Sequence, residues 1–142
     1  MKIRFKKLDA KAVAPQYATI GSAGADIRST ENIVIGPNET KRVHTGLAME
    51  IPAGFVGFLF PRSGLSFKTS LRQPNSVGVI DSDYRGEVQG MFTNTGSEPV
   101  EIASGDRIAQ MIVMPVPYVV WAEAESLEDT ARGAGGFGST GV

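Results

Sequence analysis

The chain has 142 residues, no cysteine, a single histidine, and fourteen Lys+Arg against fifteen Asp+Glu for a formal charge of −1. This length supports one domain with a real core, while the composition excludes disulfides, thiolate nucleophiles, zinc–thiolate sites and any His cluster built on His44 alone. No global positive field draws in nucleic acid, no polybasic run suggests a membrane surface and no apolar run reaches membrane length, so a soluble cytoplasmic protein that binds any anion locally is expected.

Met1 to Leu8 alternates Lys2, Arg4 and Lys6 with Ile3 and Phe5, the pattern of an amphipathic strand. Short apolar runs follow, each closed by turn formers: Ile33-Val34-Ile35 before Gly36-Pro37-Asn38, Val43 through Ile51 before Pro52-Ala53-Gly54, and Phe55 to Phe60 before Pro61. The punctuation continues at Gln73-Pro74-Asn75, Asn94-Thr95-Gly96 and Ser104-Gly105-Asp106. Spacing of about 8–12 residues predicts an all-β body, a jelly-roll-like antiparallel barrel or double sheet that hides its edges. Only Ser63–Ser70 and Ala122–Asp129 look helical, and both are too short to anchor a helical layer. From Ala131 the chain becomes glycine-rich, which predicts a body over residues 1–130 and a mobile arm over 131–142.

Five stretches carry chemistry. Ser22-Ala23-Gly24-Ala25-Asp26 reads as a small-residue turn feeding a strand, with Asp26 either an Asx-type turn residue or a carboxylate near a metal. Pro61-Arg62-Ser63-Gly64-Leu65-Ser66 leads from a Pro-stopped strand into a helix start, which suits an anion held by Arg62 and Ser63 or ordinary N-capping by Ser63. Gly78-Val-Ile-Asp-Ser-Asp-Tyr-Arg-Gly86 crowds two carboxylates, a phenol and a guanidinium onto one turn. Asp81 follows apolar Val79 and Ile80 at a strand end, where partial burial is expected to tune it for proton abstraction; the same residues also suit a solvated hairpin tip. In Gly105-Asp-Arg-Ile-Ala-Gln110, alternation puts Gln110 on the face of Ile108 and Ile112, so its amide requires a partner. In the tail, Arg132, Phe137, Ser139 and Thr140 are interleaved with glycines, the parts of a polyphosphate clamp: bare N–H groups, hydroxyls, a guanidinium and an aromatic cover. A Walker loop is excluded, because no Lys stands in the required place.

In this order the five stretches resemble the five motifs of the trimeric dUTP nucleotidohydrolase (dUTPase) family: Ala23 to Ser29, Pro61 to Leu65, Asn75 to Val88, Gly105 to Gln110, and Arg132 to Gly141. Thr45-Gly46-Leu47 before Ile51-Pro52 is similar to the family's connecting strand, so the likeness spans nearly the whole chain. Departures are small: Phe60 where a smaller residue is common, Thr69-Ser70 where many members carry His-Gly, and Ala134 at a variable place.

The resemblance implies Mg2+-dependent hydrolysis of dUTP to dUMP and pyrophosphate, with Asp81 as the general base for a water attacking the α-phosphorus. It implies that Asp26 holds Mg2+ through water, that Arg62, Ser63, Gly64 and Gln110 bind phosphates, and that Asn75, the Val79, Ile80 and Asp81 backbone and Gln89 read uracil inside the hairpin. Tyr84 would lie under the deoxyribose, and Arg132, Phe137, Gly138, Ser139 and Thr140 would close over the nucleotide. A homotrimer with sites shared between subunits is implied as well. Two other readings stand beside it. A dCTP deaminase needs a Glu in the strand after the hairpin, whereas Val88-Gln-Gly-Met-Phe-Thr-Asn94 holds no carboxylate. A nucleotide-gated binding or regulatory protein on the same fold is the other, against which the intact Asp81, Tyr84 and Arg132 argue.

Overall fold

A computed structural model describes residues 1–136. Among them ten strands and one helix form: β1 Arg4–Lys7, β2 Ala25–Arg28, β3 Ile33–Ile35, β4 Thr40–Glu50, β5 Phe55–Pro61, α1 Ser63–Lys68, β6 Leu71–Arg72, β7 Gly78–Ile80, β8 Glu87–Asn94, β9 Val100–Ile102 and β10 Arg107–Pro115. The all-β expectation with one short helix holds. The strands lie in two four-stranded antiparallel sheets, β1-β4-β8-β6 and β2-β10-β5-β7, and a β3-β9 ribbon. Within the described residues this is the double-sheet form, with no single closed ladder.

Strand alternation packs the interior. Along β8 every second residue, Val88, Gly90, Phe92 and Asn94, is buried. Val88 and Phe92 join Ile27, Leu47, Leu59 and Ile108 in one continuous core. Asn94, fully buried, satisfies itself by donating Nδ2 to the carbonyls of Ile35 (2.9 Å) and Glu98 (2.7 Å), while its Oδ1 accepts from the Gly96 N–H and the Ser70 hydroxyl.

Three expectations are corrected. Ala122–Asp129 is not helical: the segment is exposed, Leu127 among the described residues is 89% exposed, and so short an amphipathic stretch cannot repay helix nucleation without a surface to bury against. The alternation at β10 is broken by a register shift between Arg107 and Ala109, so Ile108 and Ala109 are both buried and Gln110 lies on the opposite side from them. Phe5 in β1 stays exposed, and only Ile3 of the N-terminal apolar pair packs against the core.

The longest strand carries the feature that shapes the site. Between β4 and β8 the register jumps from His44↔Gln89 to Leu47↔Val88, so Thr45 and Gly46 are extra residues in a bulge. Thr45 is buried, and its hydroxyl donates to the Val88 carbonyl. Gly46 has φ +64°, and a Cβ there would stand 2.8 Å from Asp9 Cβ and 2.9 Å from Ala12 Cβ. Gly46→Ala therefore combines backbone strain with overpacking and is expected to cost about 2–4 kcal/mol. Urea midpoints of the two proteins measure it, and an unchanged midpoint would contradict the bulge geometry.

Candidate active site

The Gly78–Gly86 stretch is not a hairpin in the hydrogen-bonding sense, because its two flanking strands belong to different sheets. β7 pairs with β5 (Gly57↔Ile80, Phe58↔Val79, Leu59↔Gly78), whereas β8 pairs with β4 along its length and with β6 only at Thr93 and Asn94. A cavity of about 310 Å³ lies between them, lined by Asn75, Gly78, Val79, Ile80, Asp81 and Tyr84 on one side and Glu87, Gln89 and Met91 on the other. Backbone groups along the open edges of both strands, rather than charged side chains alone, are available to a flat polar ligand.

Asp81 follows β7 directly, and its carbonyl accepts the Tyr84 N–H at 3.2 Å, which turns the chain outward. The expected partial burial of Asp81 is not found: its carboxylate is exposed at the cavity rim. Tyr84 folds back so that its hydroxyl donates to the Glu87 carbonyl at 3.0 Å. The ring lies over Gly86, where any Cβ would collide with the phenol, so glycine is required for this approach.

Two residues that the sequence did not single out, His44 and Glu87, complete this side; the strand expected to run from Val88 without a carboxylate begins instead at Glu87, which lines the cavity, because strand pairing with β4 extends to Ala48↔Glu87. Glu87 reaches into the β4 bulge, where Oε1 accepts the N–H groups of Gly46 (2.7 Å) and Thr45 (3.1 Å). Its Oε2 meets His44 Nδ1 at 2.8 Å and Gln89 Nε2 at 3.1 Å. Burial alone would raise the Glu87 carboxyl, but the hydrogen bonds from His44, Gly46 and Gln89 outweigh it and hold the group below the usual range. The bond to Glu87 in turn raises His44 above 6.5. Neither residue forms a sequence motif; the bulge that brings them together depends on strand pairing.

A second polar cluster joins β2, β5 and β10. Asp26 receives Arg62 Nε at 2.8 Å on Oδ1 and Arg107 at 3.2 Å on Oδ2. This fixes Asp26 as an ion-paired carboxylate rather than an Asx-turn residue. Arg107 lies within a stretch read as chemical, yet only the pairing of β2 with β10 reveals its role. Gln110, opposite Asp26 across the ladder, donates Nε2 to the Pro61 carbonyl at 3.1 Å, which answers the demand for a partner. Ser63 does not cap α1: Arg62 occupies the N-cap position, no side chain caps the helix, and the Ser63 and Gly64 surface is exposed. Arg62, Gly64, Lys68 and Arg107, with the acidic Glu101 and Asp106, line a separate cavity of about 370 Å³ that shares no residue with the first; Ser63 and Gln110 are not part of its lining. Arg132 lines neither cavity and donates Nε to the Gly135 carbonyl at 2.8 Å. Phe137, Gly138, Ser139 and Thr140 lie outside the described residues.

The sequence pattern of the dUTPase family matches residues 10–141. The chain belongs to the dUTPase family. It is 48% identical over 141 residues to the deoxyuridine 5'-triphosphate nucleotidohydrolase of Nautilia profundicola, covering 99% of each chain. It is also 48% identical to that of Desulfitobacterium hafniense, over all of this chain and 96% of the relative. Among solved structures it is similar to the Staphylococcus bacteriophage 80alpha dUTPase with dUpNHpp, at TM-score 0.94 and 30% identity, covering 99% of each chain. A dUTPase from phage phi11 of S. aureus, described with a coordinated structural Mg(II) ion, matches at TM-score 0.85 and 26% identity over 91% of this chain and all of that one.

In this dUTPase-family chain the His44–Glu87 pair makes stability depend on pH. A folded-state value raised above 6.5 means that the folded protein holds the His44 proton more tightly than the unfolded chain does. The contribution is therefore complete below 6.5 and fades as pH climbs through the raised value. Because the ring is half exposed, the effect is small. Wild type is expected to exceed His44→Asn in urea midpoint at about pH 5.5, with the gap closing by about pH 8.5. A gap that does not change with pH would contradict the assignment.

Proposed function

We propose that this chain hydrolyses dUTP to dUMP and pyrophosphate, which limits uracil incorporation into DNA and supplies dUMP for thymidylate synthesis in the cytoplasm. The reading is carried by the gap between β7 and β8, which holds Asp81 and Tyr84 at the rim of a base-sized cavity in a dUTPase-family chain. A cytosine would leave the pocket's polar groups mismatched, and a thymine methyl would find no room.

Asp81 acts as the general base in this reading. Its exposed carboxylate takes the proton of a water that attacks the α-phosphorus in line, and pyrophosphate leaves on the opposite side. Asn75, the backbone of Val79, Ile80 and Asp81, and Gln89 read the base, while the Tyr84 ring, held down over Gly86, fills the space a 2′-hydroxyl needs. Arg62, Ser63, Gly64 and Gln110 take the phosphates. Arg132, Phe137, Gly138, Ser139 and Thr140, in an arm over residues 131–142 appended to the 1–130 body, close the site.

For Mg2+, the donor set does not amount to a protein cage: no group of three or more His, Asp or Glu is arranged for a metal among the described residues. Asp26 still fits an ion that arrives on the triphosphate. A carboxylate offers about four acceptor positions, of which the two arginines occupy two, leaving room to accept from the ion's water. Bound there, Mg2+ supplies charge neutralisation on the phosphate oxygens.

A homotrimer with shared sites belongs to the same reading. The base cavity and the Arg62 cavity are separate within one chain, and Val116, Tyr118, Val120 and Trp121 form a run of large apolar side chains left exposed among the described residues. Trp121, 91% exposed in the isolated chain, is the single tryptophan of the sequence. In the assembled protein its emission is expected to be blue-shifted, with a red shift when dilution or mild denaturant lowers the light-scattering mass from trimer to monomer. Emission typical of free tryptophan in a particle of monomer mass would refute the assembly.

The catalytic reading is tested by pyrophosphate release from dUTP, dCTP, dTTP and UTP with Mg2+. Strong preference for dUTP is expected, and Asp81→Asn should lower kcat by about 10²–10⁴-fold while nucleotide binding survives. Near-normal turnover in that variant would remove Asp81 from the mechanism, and ammonia release from dCTP would replace the hydrolase with a deaminase.

A further inference from the structure

Gln89 lines the base cavity with one arm of its amide already committed. Its Nε2 lies 3.1 Å from Glu87 Oε2 and 2.9 Å from His44 Nδ1. A carboxylate only accepts hydrogen bonds, so the arm facing Glu87 must be the NH2 group, which settles the amide orientation chemically. Glu87 cannot swing away, because its other oxygen is held by the Thr45 and Gly46 N–H groups of the bulge. The 2.8 Å approach of His44 Nδ1 to the same Oε2 requires the Nδ1 proton; were it lost, Nδ1 would itself accept from the Gln89 NH2. Either state of His44 therefore leaves the amide pointing the same way. Other charged groups near the imidazole are Glu31, whose Oε1 accepts the backbone N–H of His44, and Arg42. Among the described residues Gln89 Oε1 accepts no hydrogen bond, and it is the arm left over for a ligand.

We propose that Glu87 is a positioning residue that sets the polarity of the Gln89 amide, so that the base pocket presents a hydrogen-bond acceptor and favours a base with a ring N–H donor. Uracil carries such a donor at N3, where cytosine carries a bare acceptor, so the same contact that binds one repels the other. The proposal rests on the dUTPase reading of the cavity between β7 and β8.

Glu87→Gln is close to isosteric and separates the two arms of the carboxylate. The new side-chain carbonyl can still accept the Thr45 and Gly46 N–H groups, but the other arm becomes a donor, which drives the Gln89 amide to turn over. The kcat/KM ratio of dUTP over dCTP should fall roughly tenfold, with most of the loss for dUTP in KM and kcat within about twofold. In a Gln89→Met background, Glu87→Gln should change nothing further, since its effect passes through that amide. Gln89→Met alone, which leaves the bulge intact, should also lower the ratio and serves if Glu87→Gln does not fold. Calorimetric binding of dUMP and dCMP is read in parallel. Wild type that prefers dUMP without hydrolysing dUTP would remove the enzymatic reading and leave the polarity test standing. An unchanged ratio in Glu87→Gln, an equal loss in the Gln89→Met background, or no effect of Gln89→Met would overturn the proposal.

Discussion

Two strands that follow each other in sequence, joined by the turn after Ile80, are drawn into different sheets, and the geometry of the site follows from that divergence. β7 is held against β5 and β8 against β4, so the ordinary fate of adjacent antiparallel strands, pairing with each other, is denied to them. The cost is two rows of backbone N–H and C=O groups facing a gap. In most proteins such edges are covered or blunted. Here they are left within reach of a ligand that can pair with them, and the same turn places a carboxylate and a phenol at its mouth.

The opening would be ill-defined if the strands on either side were free to shift register. On the β8 side the two-residue bulge in β4 provides the lock. Glu87 plugs it with two backbone N–H bonds, and a carboxylate held by several donors resists both protonation and movement. On the other sheet, Asp26 ties Arg62, between the end of β5 and α1, to Arg107 at the start of β10. With its side chain only 13% exposed, that carboxylate interacts more strongly than a surface pair would, and it arrays two guanidiniums beside the exposed start of α1. Asp26, Arg62 and Arg107 carry one negative and two positive charges, and the adjoining cavity sets Glu101 and Asp106 against Arg62, Lys68 and Arg107, so an anion there would be met by individual guanidiniums rather than by a strong net positive field.

The β4 bulge and the folded-back Tyr84 ring each depend on a glycine at a fixed place. Gly46 permits the bulge, and Gly86 permits the Tyr84 ring to fold over the backbone. Neither position can be read as demanding glycine until the neighbours that would collide with a Cβ are known.

Several parts of this protein were legible in its residues. Short apolar runs cut by Gly, Pro and Asn dictated strands because local turn chemistry acts over a few residues, and five chemically dense stretches in order marked the family and its candidate site. What depended on distant pairing was not legible. Alternation placed Gln110 with Ile108, but a bulge opposite β2 reversed the phase; Ala122–Asp129 had helical composition, but a helix needs a surface to bury against and finds none among the described residues. Asp81 was found at the strand end its neighbours predicted, yet its exposure followed from the outward turn closed by Tyr84. The roles of Glu87, His44 and Arg107 came from the tertiary structure alone, since each is defined by a partner between 41 and 81 residues away, and only strand register decides which side chains such distances bring within hydrogen-bonding reach.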